Sequence, residues 1–302
     1  MKYLVTGGAG FIGSHLVDLL ISLNNDVLVL DNLSSGTIKN IASNAEFIKG
    51  DISDFDLVDE LLNKVDGCFH LAALSSVELC RLDPLYSNKI NLASTINIFK
   101  IAASKNIPVV YASSAAVYGL SERERRNEED YVRPINNYGA DKYSCEVYAH
   151  SFYSLYNLKS VGCRIFNCYG SRQRSDSDYS GVIAKFANSI SQGKEIIIYG
   201  DGSFTRDFIF IEDVVSFFYK AMLYAKDKDS CNEIVNICTG KEITILNLAK
   251  TISKIFNKDL NINYKPARLG DISRSVGDNS KSAVKFNWTN KFSLEEGLKK
   301  LF

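Results

Sequence analysis

Short apolar runs alternate with longer amphipathic stretches along the first half of the chain. The runs are almost continuously apolar, which is typical of parallel strands covered on both faces, and the stretches between them have helical spacing. This alternation predicts an α/β fold with a doubly wound parallel sheet. The predicted strands are Lys2–Val5, Val27–Leu30, Glu46–Lys49, Gly67–Leu71, Val109–Ala112 and Ser160–Arg164, and the predicted helices are Phe11–Leu23, Asp56–Lys64, Pro84–Ser104 and Tyr138–Tyr156.

The pattern changes in the second half of the chain. Gly170–Gly181 is polar and loop-like, and the elements beyond it alternate less regularly. We predict a dinucleotide-binding domain over residues 1–166, to which 207–238 returns, and a smaller mixed α+β C-terminal substrate domain over 167–206 and 239–302. The predicted helices of this half are Val182–Gln192, Glu212–Tyr224 and Thr244–Phe256, and the predicted strands are Ile196–Tyr199, Arg206–Ile211 and Glu233–Cys238.

A glycine-rich turn joins the first predicted strand to the first predicted helix. Gly8, Gly10 and Gly13 match the dinucleotide-binding fingerprint, and Gly7, Gly10 and Gly13 match its wider-spaced variant. Such a turn brings the backbone close to a pyrophosphate and points helix N–H groups at it. The alternative is a turn that only connects a strand to a helix. The position of the glycine fingerprint, after a strand and before a helix, favours dinucleotide binding by a Rossmann sheet.

An acidic residue, Asp31, ends the second predicted strand, eighteen positions after Gly13. A carboxylate there can accept hydrogen bonds from the adenine ribose hydroxyls, and it would repel a 2′-phosphate. The segment Asn32–Ser35 that follows contains no arginine to hold such a phosphate. We therefore expect NAD rather than NADP as the cofactor.

Composition excludes several classes of partner. Among the 302 residues, the 35 basic side chains balance the 35 acidic ones, so we expect no nucleic acid and no polyanionic partner. No apolar run approaches transmembrane length and the chain starts with a strand, so we expect neither a membrane span nor a signal peptide. The seven cysteines form no CxxC pair and the three histidines no ligand spacing, so we expect reduced thiols, no metal and a cytoplasmic protein.

A second motif, Tyr138-x-x-x-Lys142, opens a predicted helix. Residues four apart share a helix face, so the phenol and the ammonium can reach one site. A phenol with a pKa of about 10 is a weak base at neutral pH; a nearby ammonium and an oxidised nicotinamide would lower that pKa. Ser113 and Ser114 follow the apolar run Val109–Tyr111, at the strand end that faces a cofactor crevice. Each motif alone is an ordinary turn or helix start, but together they predict a catalytic set of Ser114, Tyr138 and Lys142.

With these motifs the chain resembles the extended short-chain dehydrogenase/reductase family, in its nucleotide-sugar branch, and most closely that branch's UDP-sugar 4-epimerases. The resemblance runs almost end to end. It also covers segments at residues 50–52, 70–73, 164–170, 200–214 and 268–271.

The resemblance implies a role for individual residues. Asp51 and Ile52 would contact adenine, Asn91 would line the NAD channel, and Arg206 and Arg268 would hold the substrate diphosphate; from the sequence alone, Arg206 could equally pair with Asp207. The implied NAD contacts are Gly7, Gly10, Phe11, Ile12, Gly13, Asp31, Asn32, Asp51, Ile52, Leu71, Ala72, Ala73, Asn91, Ser113, Tyr138, Lys142 and Phe166, and the implied UDP-sugar contacts are Ser114, Tyr138, Asn167, Arg206, Arg268, Asp271 and Ser275.

The residues after Ser114 bear on the reaction. By the resemblance, dehydratases carry Asp-Glu there and decarboxylases carry a Glu, whereas this chain has Ala115 and Ala116, which cannot transfer protons. The preference for NAD argues against a reductase. We therefore expect 4-epimerisation of UDP-Glc/UDP-Gal, of UDP-GlcNAc/UDP-GalNAc, or of both, through a 4-keto sugar. A 4,6-dehydratase or other net oxidoreductase and a non-catalytic NAD-binding regulator remain alternatives.

Two further expectations concern assembly and substrate range. The resemblance implies a homodimer through Pro84–Ser104 and Tyr138–Tyr156, and it implies that the small Ser275 leaves room for an N-acetyl group. The alternative to a dimer is that the rest of the chain covers these helices. The apolar residues around the two helices are Ile90, Leu92, Ile96, Ile98, Phe99, Ile101, Tyr143, Val147, Tyr148, Phe152 and Leu155.

Overall fold

The computed structural model describes residues 1–120, 124–173, 181–267 and 272–302. Its strands are β1 Lys2–Thr6, β2 Asp26–Asp31, β3 Glu46–Lys49, β4 Gly67–His70, β5 Val109–Ser114, β6 Ser160–Ile165, β7 Asn167–Tyr169, β8 Ile196–Tyr199, β9 Thr205–Arg206, β10 Phe208–Phe210, β11 Asn232–Ile237, β12 Ile243–Thr244, β13 Ile262–Lys265 and β14 Arg274–Ser275. Its α-helices are α1 Phe11–Ser22, α2 Phe55–Leu62, α3 Val77–Leu82, α4 Pro84–Asn88, α5 Ser94–Ser104, α6 Asn137–Tyr156, α7 Val182–Ser191, α8 Ile211–Asp227, α9 Ile245–Phe256, α10 Ser280–Phe286 and α11 Leu294–Leu301.

The central sheet is parallel throughout its described part, with the strand order β11-β6-β5-β4-β1-β2-β3. Helices cover both faces, and the inner strands are therefore apolar along their whole length: Tyr3, Leu4 and Val5 of β1 are fully buried. The predicted doubly wound Rossmann sheet is confirmed. The strand order reverses between β1 and β4, and a crevice for ligands opens at the carboxyl ends of strands beside such a reversal.

Smaller sheets follow in the second half of the chain. The described residues pair β10 with β7, β9 with both β12 and β14, and β8 with β13, in a mixture of parallel and antiparallel ladders. The strand β11 returns to the edge of the central sheet beside β6. The C-terminal region is thus mixed α+β as predicted, while the domain bounds given above stay a prediction.

Two predicted elements differ from the structure. The helix predicted over Pro84–Ser104 is α4 and α5 joined by a π-helical turn, Lys89–Ala93. The strand predicted over Arg206–Ile211 is interrupted at Asp207, whose buried carboxylate accepts hydrogen bonds from backbone N–H groups of the chain after β11, and Ile211 already begins α8. The break at Asp207 depends on donors 32 and 33 residues away in the sequence, which the apolar pattern does not encode.

Candidate active site

A cleft with a volume of about 1630 Å³ lies along the carboxyl edge of the central sheet. Its walls come from the ends of β1, β2, β4, β5 and β6 and from the smaller sheets, so it joins both halves of the chain. The predicted site residues that line it are Gly7, Gly10, Phe11, Ile12, Gly13, Asp31, Asn32, Asp51, Ile52, Leu71, Ala72, Ala73, Ser113, Ser114, Tyr138, Lys142, Phe166, Asn167, Arg206 and Ser275.

The glycine turn leaves open space at one end of the cleft. Gly7 has a φ of +72°, and a Cβ there would lie 2.7 Å from the Ala72 nitrogen; a Cβ on Gly13 would lie 2.2 Å from the Gly7 carbonyl oxygen. A Cβ on Gly10 would meet only that carbonyl, at 3.2 Å, and would otherwise project into the space. No side chain caps α1 and no acid lies in its first turn. The N–H groups at this helix end therefore suit a pyrophosphate.

Asp31 ends β2 at the cleft, as predicted. Its Oδ2 accepts a hydrogen bond from the Ala9 N–H (3.0 Å) and its Oδ1 one from the Leu33 N–H (2.8 Å). Each carboxylate oxygen can accept more than one hydrogen bond, so both retain capacity for ribose hydroxyls. Asn32 follows and donates to Asp51 at 2.8 Å, which connects the ends of β2 and β3. The geometry is compatible with the adenosine half of NAD.

A buried histidine that the sequence reasoning gave no role holds the adjacent wall. His70 at the end of β4 lies 2.8 Å from the hydroxyls of both Thr6, through Nδ1, and Thr95, through Nε2. The Thr95 hydroxyl donates to the Asn91 carbonyl (2.7 Å), so it must accept from Nε2–H. The Thr6 hydroxyl therefore donates to Nδ1, and it accepts from the two backbone N–H groups that follow His70. This assigns one neutral tautomer.

Burial, and secondarily the charge of Lys142, lowers the pKa of His70 to about 3. A neutral ring is what the hydroxyl pattern requires. The network thereby fixes the backbone after β4 against the glycine turn, where a Cβ on Gly7 would collide with Ala72.

Asn91 supports the cleft wall and does not line it, in contrast to the prediction. It lies in the π-helical turn and is 1 % exposed. Its amide accepts from the Leu74 N–H (2.8 Å) and donates to the Leu74 carbonyl (3.2 Å). Because both ends of the amide bind the backbone of the loop after β4, its side chain is turned away from the cavity. Asp141 of α6 accepts from Ser87 of α4 at 2.6 Å and thereby holds this region on α6.

The three predicted catalytic side chains meet at the cleft. Tyr138 and Lys142 lie one turn apart on α6, and the Lys142 Nζ is 5.9 Å from the centre of the Tyr138 ring. Ser114 lies close enough to Tyr138 to lower the pKa of its phenol, and the Ser114 hydroxyl accepts from the Ala116 N–H at 3.1 Å. Lys142 is 3 % exposed, and among the described residues none accepts a hydrogen bond from its ammonium. An unpaired ammonium facing the cleft suits sugar hydroxyls as acceptors.

The pKa of the phenol differs from the expectation. Burial raises the pKa of Tyr138 to about 12, and the contact with Ser114 lowers it only in part. Burial also lowers the pKa of the Lys142 ammonium. The expected lowering of the tyrosine pKa by this lysine is therefore wrong for the protein alone, because desolvation disfavours the phenolate more than its neighbours favour it.

The start of α6 is shaped to bring Tyr138 against the turn after β5. Asn136 caps the helix by accepting from the Gly139 N–H at 2.8 Å. A Cβ on Gly139 would lie 2.6 Å from the Ala116 carbonyl oxygen, so a larger residue would push the two segments apart. Ala115 and Ala116 line the cleft beside Ser114 and offer no proton-transferring group.

Two of the other residues predicted for substrate, Asn167 and Arg206, lie on β7 and β9 of the smaller sheets. Asn167 donates to the Asp207 carbonyl (3.1 Å), and Arg206 donates to the carbonyls of Thr205 and Ile272 (both 2.8 Å). The Asp207 carboxylate is occupied by backbone N–H groups at residues 239 and 240. These bonds fix one end of the Arg206 guanidinium in the cleft wall.

Ser275 pairs with Arg206 along β14 and β9, so both side-chain positions belong to one small sheet. Arg268 and Asp271 lie outside the described residues. Arg172, which was not predicted, also lines the cleft and forms an ion pair with Asp18 of α1 (2.7 Å). No sequence motif marked it.

The described ranges contain no group of three or more His, Cys, Asp or Glu side chains placed to hold a metal ion. No helix within them has both the length and the apolar character needed to cross a bilayer.

A Rossmann sheet whose cleft combines a glycine turn with a Ser–Tyr–Lys set defines the class of extended short-chain dehydrogenases/reductases. The sequence model of the NAD dependent epimerase/dehydratase family matches residues 3–238. The chain belongs to this family. It is an enzyme of the UDP-sugar epimerase/dehydratase type, and the prediction of NAD as its cofactor is confirmed.

Individual relatives are similar over almost their whole length. A UDP-glucose 4-epimerase of Mycolicibacterium smegmatis is 36% identical over 99% of this chain and 97% of its own. Among solved structures, UDP-glucose 4-epimerase of Thermotoga maritima with UDP-glucose has a TM-score of 0.93 at 37% identity, covering 100% of this chain and 97% of that one. UDP-N-acetylglucosamine 4-epimerase of Methanobrevibacter ruminantium M1, in complex with UDP-N-acetylmuramic acid, has a TM-score of 0.94 at 37% identity, covering 99% and 96%. Relatives near 30% identity include UDP-glucuronic acid decarboxylases.

Proposed function

We propose that this chain is an NAD-dependent UDP-hexose 4-epimerase that acts on UDP-Glc/UDP-Gal, on UDP-GlcNAc/UDP-GalNAc, or on both. The observation that carries the proposal is that Ser114, Tyr138 and Lys142 line one cleft, with the Lys142 Nζ 5.9 Å from the centre of the Tyr138 ring, and that Ala115 and Ala116 follow Ser114 there. The set can move one proton to and from a sugar hydroxyl. It has no acid or base at the two positions that the dehydratase and decarboxylase branches use.

The proposed roles follow from what each group can do. Tyr138 removes the proton of the sugar 4-hydroxyl and returns it, with Ser114 donating or relaying that proton. Lys142 binds ribose hydroxyls through its ammonium. The glycine turn and Asp31 would hold NAD, which would supply reversible hydride transfer at C4 of the sugar, with a 4-keto sugar between the two transfers.

The nucleotide must stay bound while the sugar turns over. Arg206 and Asn167 are fixed in the wall of the cleft by backbone carbonyls, which suits a firm hold on the diphosphate end. For Arg268 and Asp271 the same assignment rests on the family resemblance alone. The proposed domain division, 1–166 with 207–238 against 167–206 with 239–302, would separate cofactor binding from substrate binding.

The alternatives predict different products. A 4,6-dehydratase would release water, a decarboxylase would release carbon dioxide, and a regulator would bind NAD without turnover. The relatives named above include both epimerases and decarboxylases, so the reaction has to be measured. The cleft favours epimerisation because Ala115 and Ala116 replace proton-transferring residues, and it disfavours a regulator because Ser114, Tyr138 and Lys142 are all in place.

The decisive experiment is a product analysis. The purified protein is incubated separately with UDP-Glc, UDP-Gal, UDP-GlcNAc, UDP-GalNAc, UDP-glucuronic acid and dTDP-glucose. The products are separated by chromatography, and their masses are measured by mass spectrometry. The proposal expects conversion of at least one UDP-hexose to its C4 epimer at unchanged mass, without net NADH formation, and no conversion by Tyr138→Phe. Loss of water or of carbon dioxide would establish an alternative, and no conversion of any sugar would favour the regulator.

We further propose a homodimer in the cytoplasm. On α5, Ile98 and Phe99 are fully buried in this chain, so they are not free to form an interface. The exposed apolar face lies instead on α3, α4 and α6, and a dimer would cover it. The large apolar residues exposed on these three helices are Val77, Leu79, Leu82, Leu85, Tyr86, Tyr143, Val147, Tyr148, Leu155 and Tyr156. Sedimentation at micromolar concentration tests the dimer.

The proposed cytoplasmic location is supported by the cysteines. All seven are free thiols, which suits a reducing compartment.

A further inference from the structure

A third side chain continues the row formed by Tyr138 and Lys142 on α6. Glu146 follows Lys142 by four residues and so lies on the same helix face. Its carboxylate is almost completely buried and accepts three hydrogen bonds: from the Ser113 hydroxyl (2.5 Å) and from the Nε (2.9 Å) and Nη2 (2.7 Å) of Arg164. Ser113 and Arg164 face each other in register on β5 and β6. One carboxylate therefore joins α6 to two neighbouring strands.

The other end of the Arg164 guanidinium contacts the turn that follows Ser114. Its Nη1 donates to the Tyr118 hydroxyl at 3.0 Å, and its guanidinium lies 4.8 Å from the centre of the Tyr118 ring. Tyr118 ends the short 3₁₀ turn that begins immediately after Ser114. Ser114 is thus flanked by two anchored residues, Ser113 directly before it and Tyr118 four positions after it, and both anchors lead to Glu146.

Buried ion pairs of this kind are weak contributors to net stability, because desolvation offsets most of the attraction. They do fix geometry, since a bidentate carboxylate–guanidinium pair permits only one arrangement of its two partners. What this pair fixes is the distance between the turn that carries Ser114 and the helix that carries Tyr138. The Ser113 hydroxyl is committed to this contact, although it was predicted to contact NAD.

We propose that Glu146 is a positioning residue for proton transfer, which holds the Ser114 hydroxyl in hydrogen-bond register with the Tyr138 phenol through Ser113 on one side and Arg164 on the other. The inference rests on the proposed roles of Ser114 and Tyr138. It assigns Glu146 no contact with substrate or cofactor.

The least disruptive test removes one arm of the contact. Ser113→Ala deletes the hydroxyl and leaves the Glu146–Arg164 pair intact, so the protein should fold. We expect kcat to fall on the order of tenfold through misalignment, with unchanged KM and NAD content. The contact with Ser114 lowers the pKa of the Tyr138 phenol. If Ser113→Ala weakens this contact, that pKa should rise. The rising limb of the kcat–pH profile, in which kcat increases with pH, should then shift to higher pH. A residue that served only the fold would lower the melting temperature without moving that limb.

A double-mutant cycle separates this proposal from the proposed function. If Ser113 acts through Ser114, then Ser113→Ala should lower kcat in the wild-type background and have no further effect in a Ser114→Ala background. Ser87→Ala is the matched control, because it removes a buried hydroxyl that donates to another α6 carboxylate, Asp141, at 2.6 Å. Whatever its effect on kcat, that effect should be the same in both backgrounds.

The outcomes are distinct. Equal losses from Ser113→Ala in both backgrounds, or a loss confined to NAD content, would overturn the positioning role while leaving the epimerase proposal intact. Unchanged kcat in Ser114→Ala and Tyr138→Phe would overturn the proposed function and the positioning role together. As a second variant, Glu146→Gln keeps the acceptor for Ser113 but removes the charge that orients Arg164, and it should show the same upward shift of the pH profile.

Discussion

The Lys142 ammonium lies 5.9 Å from the centre of the Tyr138 ring, where Lys142 is buried and Tyr138 is half-buried at the cleft. Burial raises the pKa of the phenol to about 12 and lowers the pKa of the ammonium. The two groups are therefore biased toward their neutral forms in the protein alone. A phenolate at neutral pH requires an additional positive charge in the cleft, which the family's oxidised cofactor carries.

Tyr138→Phe should abolish turnover while leaving the cleft intact. The substitution keeps the ring and removes the oxygen that accepts the proton, so the loss should be on the order of 10²–10⁴-fold in kcat. Steady-state kinetics on the best UDP-hexose and the 260/280 nm absorbance ratio of the purified protein measure the two effects. Near-wild-type turnover in this variant would show that another group is the base.

Two glycines of the first turn should respond differently to substitution. The Cβ of Gly10→Val would project into the cleft, 3.2 Å from the Gly7 carbonyl oxygen, so the variant should fold, lose NAD and melt near the temperature of NAD-free wild type. Gly13→Val would place its Cβ 2.2 Å from the Gly7 carbonyl oxygen, so it should lose stability as well as NAD. Thermal melting and NAD content of both variants make the comparison. A Gly10→Val protein that retained bound NAD would contradict the placement of the pyrophosphate.

Acid sensitivity should depend on His70. Its pKa is 6.5 as an ordinary histidine and about 3 in the fold, so the unfolded chain binds the proton more strongly between these values. The free energy of unfolding should therefore fall as the pH drops from 6.5 toward 3, by up to about 1.4 kcal/mol per pH unit from this residue. Urea denaturation of wild type and His70→Gln at pH 7, 6 and 5 measures the slopes. The variant should have the shallower slope, and equal slopes would contradict a neutral buried ring.

Substrate range should change at Ser275. This residue lines the cleft beside Arg206, and its small side chain leaves space that a tyrosine would fill. Ser275→Tyr should lower kcat/KM for UDP-GlcNAc and UDP-GalNAc at least tenfold more than for UDP-Glc and UDP-Gal. The reason is steric, because the tyrosine ring would occupy the space that the N-acetyl group needs. Ser275→Ala is the control and should leave the ratio unchanged. Equal losses on both pairs would place the N-acetyl pocket elsewhere.

The sequence predicted those parts of the site whose residues are neighbours in the chain. The glycine turn and Tyr138-x-x-x-Lys142 each need only a local strand–helix context, and both line the cleft. The supports behind them join residues far apart: His70 reaches Thr6 across 64 positions, and Ser113 reaches Glu146 across 33. No periodicity encodes such contacts. The spacing of four between Lys142 and Glu146 was the one available signal.

Electrostatics were also beyond the sequence. The sign of the Tyr138 pKa shift depends on how completely the phenol is desolvated, which is a property of the packed cleft. The interruption of the predicted strand at Asp207 likewise depends on backbone donors that approach from residues 239 and 240. Apolar patterning identified the elements but could not locate this break.

The π-helical turn at Lys89–Ala93 constrains how this chain can change length. A π turn closes with i→i+5 hydrogen bonds and so holds one residue more than an α turn. Deleting one residue here could therefore give an ordinary α turn, with Thr95 still facing His70 and Ile98 and Phe99 still in the core. An insertion would instead turn α5 by about 100° relative to α4, because an α-helix advances by that angle per residue. The segment between Asn88 and Ser94 should therefore tolerate a deletion better than an insertion.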